Sequence, residues 1–162
     1  MPALRRAALA VAGATALLPF AAGTSAAAEP IPSPEPPPGS TQYISEKELA
    51  DLTGGTTFGV TVEARTTDSG AIGGRAHWIA DGDKVAACDT QADGKRVRAT
   101  IYWNDSTGSH YAWVEDANGA NGDCMIRNDL DLPEGTKVGL EVCLKSGSEG
   151  RKEYCGTATG VA

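Results

Sequence analysis

The two histidines and the serines near one of them are the first candidates for catalysis in this chain. His110 directly follows Ser109, and Ser106 lies four residues earlier, so a Ser/His/Asp hydrolase site is arithmetically possible. Many serine hydrolases hold the nucleophile in a G-x-S-x-G turn, and the sequence contains no such turn. A serine in a turn is most simply a turn residue. We therefore predict no catalytic residue and rank an enzyme last among the functions considered.

Acidic residues recur in two loops that could bind a cation. Oxygen-bearing side chains alternate in DTQADG and in DANGANGD, where they are Asp89, Gln91 and Asp93, and Asp116, Asn118, Asn121 and Asp123. Calcium takes six to eight oxygen ligands, but neither loop has the Gly and Glu positions of an EF-hand. Asn-Gly and Asp-Gly also supply the positive φ of tight turns. We predict no metal and no cofactor, and the sequence leaves open whether 116–123 binds calcium.

The aromatic residues give the main indication of a binding surface. Tyr102 and Trp103 are adjacent in a predicted strand, so they point to opposite faces. Tyr111 and Trp113 share a face of the next strand. If that face continues from Tyr102, the three side chains form an aromatic row that could stack on sugar rings or anchor a protein partner. The alternative is that Trp103 or Trp113 fills the core, and the pattern does not say which of them is exposed.

Four cysteines, Cys88, Cys124, Cys143 and Cys155, allow three disulfide pairings. Cys143 and Cys155 lie near the facing ends of a predicted C-terminal hairpin, which favours a bridge between them. Cys88 would then pair with Cys124. Metal and redox sites typically use closely spaced pairs such as C-x-x-C, and no such pair is present. We predict two structural disulfides.

The chain from residue 56 onward is predicted to be all β. Apolar and polar residues alternate in several stretches, most clearly in Arg96–Trp103, where Val97 and Ile101 share a face. Turn sequences such as Asp81-Gly82 separate about seven or eight such strands, in agreement with the regular spacing of all-β domains. No interval has room for the crossover helices of a parallel sheet. The predicted fold is an antiparallel β-sandwich, stapled by the two disulfides.

The N-terminal region is predicted to direct export. Residues 1–28 combine Arg5 and Arg6, an apolar run and a small-residue cleavage site, as a signal peptide does. Residues 29–55 are a Pro-rich disordered lead with a possible short helix, since Ser45 and Glu48 fit a capping box. Residues 56–162 form the predicted sandwich domain. We expect a secreted, extracellular protein, in which disulfides are stable.

Charge excludes some partners. The net charge of −7 would become −9 after removal of the signal, which contains two arginines and no acidic residue. An acidic protein is poorly suited to bind nucleic acid or an anionic membrane. We predict an extracellular polysaccharide or protein as partner.

Several sequence segments carry a resemblance to a known group. VAACDTQADGKRVRATIYW (Val85 to Trp103), LPEGTKVGLEVCLK (Leu132 to Lys145) and the ending CGTATG resemble small exported proteins of streptomycetes and related actinomycetes. The resemblance covers roughly Gly74 to Gly160. It implies two disulfides and a β-sandwich but no activity, because none is assigned to the group. The small proteinaceous α-amylase inhibitors of actinomycetes share that architecture, but their Trp-Arg-Tyr motif is missing here.

Two functions remain for this sequence. The first is a non-catalytic binding module for cell wall or another polysaccharide, which would use the face of Tyr102, Tyr111 and Trp113 or the loops Asn104–Ser109 and Asp116–Asp123. The second is a secreted inhibitor of an extracellular hydrolase, which would present the Asn104–Ser109 loop.

Overall fold

A computed structural model describes residues 31–32, 40–54 and 61–162. The predicted signal peptide and residues 29–30, 33–39 and 55 of the Pro-rich lead lie outside these residues. The elements, in chain order, are β1 (Ile31–Pro32), β2 (Thr41–Ser45), α1 (Glu46–Gly54), β3 (Val62–Arg65), β4 (Gly74–Ile79), β5 (Lys84–Asp89), β6 (Arg96–Asp105), β7 (Gly108–Asp116), β8 (Asp123–Arg127), β9 (Lys137–Lys145) and β10 (Lys152–Val161).

The strands form two five-stranded sheets, as the predicted all-β sandwich requires. The front sheet has the order β1-β7-β6-β9-β10, and the back sheet has the order β2-β8-β5-β4-β3. Every pair is antiparallel except β1 with β7, where Ile31 lies opposite His110 in parallel register. The predicted fold class is therefore confirmed.

The core lies between the sheets and follows from the period-two alternation of the strands. In β6, Val97, Ala99 and Ile101 are fully buried, while Arg98 and Thr100, which alternate with them, point to the outer face of the front sheet. The back sheet contributes Trp78, whose side chain is fully buried and whose indole N–H donates to the Val161 carbonyl at 3.1 Å. This hydrogen bond joins β4 to the C-terminal end of β10 across the sandwich.

A short helix covers the outer face of the back sheet. Glu48 accepts hydrogen bonds from the backbone and the hydroxyl of Ser45, both at 2.8 Å, and its own N–H donates to the Ser45 hydroxyl at 3.2 Å. These contacts are the capping box predicted from the sequence. Leu49 on this helix packs with a second apolar cluster that includes Ile79 and Ile126. No described helix covers the outer face of the front sheet in the same way.

The structure differs from the sequence analysis at the start of the domain. That analysis began the sandwich at residue 56, whereas β2 lies earlier and pairs along its whole length with β8, from Thr41 opposite Arg127 to Ser45 opposite Asp123. The eight strands predicted after residue 56 correspond to β3–β10. Of the first of them, residues 56–60 fall outside the described part of the chain. The β6–β7 turn is also shorter than the predicted Asn104–Ser109 loop, since the strands continue to Asp105 and resume at Gly108.

Both predicted disulfides are present. Cys88 and Cys124 face each other on β5 and β8, and Cys143 of β9 is bonded to Cys155 of β10. The second bridge lies at a β-bulge, where Tyr154 and Cys155 together oppose one residue of β9 and Tyr154 has a φ of 51°.

The bulge brings β10 against the edge of the back sheet. The Thr67 N–H donates to the Tyr154 carbonyl at 2.9 Å. An added Cβ on Gly156 would lie only 1.8 Å from the Arg65 carbonyl oxygen, so this close approach requires glycine.

Two disulfides in a small β protein fit an extracellular environment. Within the described ranges, we find no helix with the length and apolar character needed to cross a bilayer.

Candidate functional site

The three predicted aromatic residues do lie together, on the outer face of the front sheet. Tyr102 of β6 is directly opposite Tyr111 of β7, and the next outward pair along these strands is Thr100 with Trp113. The rings of Tyr102 and Tyr111 are 6.1 Å apart and inclined by 42°. We call Tyr102, Tyr111 and Trp113 the aromatic face. Their position follows from the strand alternation together with the register of the β6–β7 hairpin.

Cationic side chains accompany the aromatic face, and the sequence analysis did not assign them to it. The Arg98 guanidinium lies over the Trp113 ring at 4.1 Å, as a cation–π pair. Lys152 reaches from β10 to within 3.4 Å of both the Thr100 hydroxyl and the Tyr102 hydroxyl. Side chains from β6, β7 and β10 thus enclose a pocket of about 260 Å³, lined by Arg98, Thr100, Tyr102, Tyr111, Trp113 and Lys152.

Two glutamates at the margin of this pocket hold the cations in place. Glu115 binds Arg98 Nη2 at 2.8 Å, Arg96 Nη1 at 3.1 Å and Lys145 Nζ at 3.1 Å. Burial acts to raise the pKa of Glu115, but hydrogen bonds from Arg96 and Lys145 and the nearby positive charges together lower it below its usual value. Glu141 accepts a hydrogen bond from the Tyr102 hydroxyl at 3.2 Å and also pairs with Lys152. The polar groups of this face are therefore preorganised.

A larger groove opens on the other side of Tyr102. Its volume is about 790 Å³, within the range of small-molecule sites, which is about 300–1,000 Å³. Trp103 stacks on the His110 ring there, with centroids 5.4 Å apart and planes inclined by 20°. The further lining residues come from the ends of β9 and β10, among them Lys137, Val138, Thr159 and Val161.

Tyr102 lines both concavities, and the residue is 37% exposed. The sequence left open which of Trp103 and Trp113 is exposed, and in the structure both are partly buried. Trp103 packs partly on the core and partly lines the groove, whereas Trp113 is half-buried on the outer face under Arg98. The sequence did not predict the groove, because it is made by the ends of four strands, β6, β7, β9 and β10. Tyr102, Trp103, His110 and the Asn104–Ser109 loop were each singled out, but not as parts of one site.

The candidate hydrolase residues do not form a Ser/His/Asp triad. His110 Nε2 lies 2.9 Å from the Thr107 hydroxyl and 3.0 Å from Asp105 Oδ1, so both contacts use the same ring nitrogen. A triad histidine contacts the nucleophile with one nitrogen and the carboxylate with the other. Ser109 instead donates to Asn104 Oδ1 at 2.6 Å. Hydrogen bonds from the Thr107 side chain and backbone lower the pKa of Asp105 to about 2, and these contacts stiffen the β6–β7 turn.

Glu141 is also near the Cys143–Cys155 bridge. One potential ligand atom from each of these three residues lies within 4.8 Å of the others. Because both sulfur atoms are bonded in a disulfide, neither is a thiolate that could bind a metal ion.

No family model matches this chain, and neither a curated protein nor a solved structure does.

Proposed function

We propose that the protein is an exported, non-catalytic module that binds a cell-wall or other extracellular polysaccharide through the aromatic face. The observation that carries this proposal is the convergence of Tyr102, Tyr111 and Trp113 on an outer sheet face that no described helix covers. The C–H faces of sugar rings are apolar and pack well on aromatic rings. The strand arrangement supplies Tyr102 and Tyr111 side by side, whereas the Trp113 ring has the Arg98 guanidinium over one face.

The groups around the rings suit a hydroxylated ligand. Thr100, Lys152 and Arg98 supply hydroxyl, ammonium and guanidinium groups at the pocket wall, and each can hydrogen-bond to a sugar hydroxyl. Tyr102 lines both concavities, so a chain that crosses Tyr102 would place successive units against both. A polymer contacting both concavities gains avidity that a single sugar lacks.

Export is part of the same proposal. The signal-like residues 1–28, the two disulfides and the resemblance to exported actinomycete proteins all support an extracellular site of action. A wall polysaccharide would be the nearest abundant ligand in that setting.

The test is retention of the oxidised protein on insoluble cell wall, chitin, cellulose and starch. The test variants are Tyr102→Ala and Tyr102→Ala with Trp113→Ala. Tyr154→Asn is the matched control, because Tyr154 is more accessible than Tyr102, lines neither concavity, and has a positive φ that Asn tolerates. Circular dichroism and thermal unfolding check that every variant is folded.

We expect Tyr102→Ala to weaken binding about 30-fold, because a central aromatic contact is worth about 2 kcal/mol. The double variant should lose retention, and the Tyr154 control should keep it. Binding that survives the double substitution would refute the site. No retention on any of the four polymers would refute the ligand class proposed here.

An inhibitor of an extracellular hydrolase is the second candidate, and the β6–β7 turn favours it. Ser106 and Thr107 are exposed at its tip, and the turn is held by hydrogen bonds to Asp105. A rigid exposed turn loses little entropy when it enters an enzyme cleft. This candidate is dropped if proteases and amylases keep full activity in a large molar excess of the protein.

A further inference from the structure

Two buried carboxyl groups meet at the end of the sandwich away from the aromatic face. Asp116 at the end of β7 is fully buried, and Asp89 at the end of β5 is 4% exposed. Asp116 Oδ2 accepts the backbone N–H of Asp89 at 2.8 Å, so a side chain of the front sheet contacts the backbone of the back sheet. Sequence reasoning treated the loops that follow these residues separately, whereas the fold places them side by side.

The charges of this pair are not compensated by basic side chains. None of the ion pairs formed by the described residues includes Asp89 or Asp116. Asp89 Oδ1 accepts the Gln91 N–H at 3.0 Å, but Asp89 Oδ2 is buried and has no hydrogen-bond partner among the described residues. A buried carboxylate oxygen without a partner is costly, so such atoms generally indicate a missing ligand or proton.

More oxygen donors surround the pair. Asp116 Oδ1 accepts the Asn118 N–H at 3.3 Å, which curls the β7–β8 loop back over the carboxylate. Asp93 is close enough for its charge to act on Asp89, and Asp123 is close enough to act on Asp116. Burial, reinforced by the charges of Asp116 and Asp93, raises the pKa of Asp89 to about 6. Near neutral pH, two buried carboxylates would therefore repel each other in the absence of a counterion.

We propose that Asp89 and Asp116 anchor a Ca²⁺ site that ties the β5–β6 loop to the β7–β8 loop. The donor set is made of hard oxygen ligands, which Ca²⁺ prefers over softer ligands. Asp89 Oδ2 and the Asp116 carboxylate would supply the charge. Among the described residues, no group of three acidic side chains that includes this pair has its oxygens within 4.8 Å of one another, so the remaining oxygen ligands would come from the two loops as they close on the ion. Binding would neutralise the repulsion and cross-link the two sheets at this end.

The first experiment is thermal unfolding of the full disulfide-bonded protein after treatment with EGTA, with and without added CaCl₂. Extracellular Ca²⁺ modules bind with Kd of about 10⁻⁴ to 10⁻³ M, so about 5 mM CaCl₂ should load the site. Because Ca²⁺ would bind the folded state and not the unfolded state, it should raise the free energy of unfolding, and we expect the Tm to rise by about 5 °C. MgCl₂ at the same concentration should give a smaller rise, because Mg²⁺ loses its water less readily.

The variants are Asp89→Asn and Asp116→Asn, with Asp131→Asn as the control. Asp131 is an exposed aspartate in the β8–β9 connection. Each Asn variant of the pair should lose the calcium-dependent rise in Tm. In EGTA, Asp89→Asn should be no less stable than the wild type, because it removes one of the two repelling charges and keeps the oxygen that accepts the Gln91 N–H. Asp116→Asn should be less stable in EGTA, because one of the two backbone N–H groups that the carboxylate accepts loses its acceptor. The control should keep the full rise.

Isothermal titration of CaCl₂ into the wild-type protein keeps the test independent of whether the variants fold. One binding event per chain in this Kd range supports the site. No heat of binding and no change in Tm would overturn the proposal, as would a rise in Tm that persists in both Asn variants. A wild-type protein indifferent to Ca²⁺ but stabilised below pH 6 would show that a shared proton neutralises the pair instead.

Discussion

The two disulfides should contribute unequally to stability, and this can be tested by removing each of them separately. The variants are Cys88→Ala with Cys124→Ala, and Cys143→Ala with Cys155→Ala. Both bridges join neighbouring strands, but they close very different lengths of chain. The sequence separation is 36 for Cys88–Cys124 and 12 for Cys143–Cys155.

The expected magnitudes follow from the loops and from burial. In the chain-entropy model, closing these loops stabilises the folded state by about 4 kcal/mol for Cys88–Cys124 and about 3 kcal/mol for Cys143–Cys155. Burial increases the expected difference in stability between the two variants. Cys88 and Cys124 are both buried in the cluster under α1, whereas Cys155 is exposed at the bulge of β10. Replacing two buried sulfurs leaves a small cavity that costs about 1 kcal/mol more.

The assay is guanidinium unfolding of the wild type and both double variants, followed by tryptophan fluorescence. We expect free energies of unfolding lower by about 5 kcal/mol for the Cys88/Cys124 variant and about 3 kcal/mol for the Cys143/Cys155 variant. The m value should rise in both, since an unfolded chain without the bridge exposes more surface. Equal losses, or a larger loss for the C-terminal bridge, would refute the reasoning from loop length and burial.

Two other predictions concern Glu115 and Gly156. Glu115→Gln leaves the buried Lys145 ammonium without its carboxylate, so the free energy of unfolding at pH 7 should fall by about 2–3 kcal/mol. Because the folded state lowers the pKa of Glu115, this stabilisation is complete above the pKa of the unfolded state and is lost as the pH falls through the pKa of the folded state. In urea unfolding, the difference in free energy between variant and wild type should therefore be smaller at pH 3 than at pH 7. An equal difference at both pH values would contradict the ion-pair explanation. Gly156→Ala should lower the free energy of unfolding by about 3 kcal/mol or prevent folding, because its Cβ would lie 1.8 Å from the Arg65 carbonyl oxygen. The control is Gly147→Ala, at an open position with a positive φ, which should lower the free energy of unfolding by only about 1 kcal/mol in the same assay.

Features that depend on neighbours in the sequence could be predicted from the sequence alone. The alternation in β6 identified its buried face, because successive side chains of a strand point to opposite sides. The capping box of Ser45 and Glu48 joins residues three positions apart. The Cys143–Cys155 bridge followed from a hairpin whose two strands are joined by one short loop. In each case the two partners are close in sequence, so the local backbone conformation largely fixes their relative positions.

The grouping of the aromatic face was partly predictable for the same reason. Tyr102 and Tyr111 lie on one hairpin, so the turn fixes their register. Lys152 comes from β10. The front sheet has the order β6-β9-β10 at this side, and this strand order brings Lys152 near Tyr102. Strand order depends on how the sheets pack, and no local pattern in the sequence specified it.

The remaining features were decided by tertiary structure. The pairing of β2 with β8 joins segments about 80 residues apart. The bulge at Tyr154 and Cys155 arises where β10 must also meet the edge of the back sheet. The sequence offered Asp89 and Asp116 as oxygen ligands in two separate loops, where a role as turn residues was the favoured interpretation, since aspartate is common in turns. Only the packing of the two sheets buries both residues and brings the Asp116 carboxylate against the Asp89 backbone. The cost of burying a charge depends on all the groups that surround it in space, and the neighbours in sequence are only a few of these.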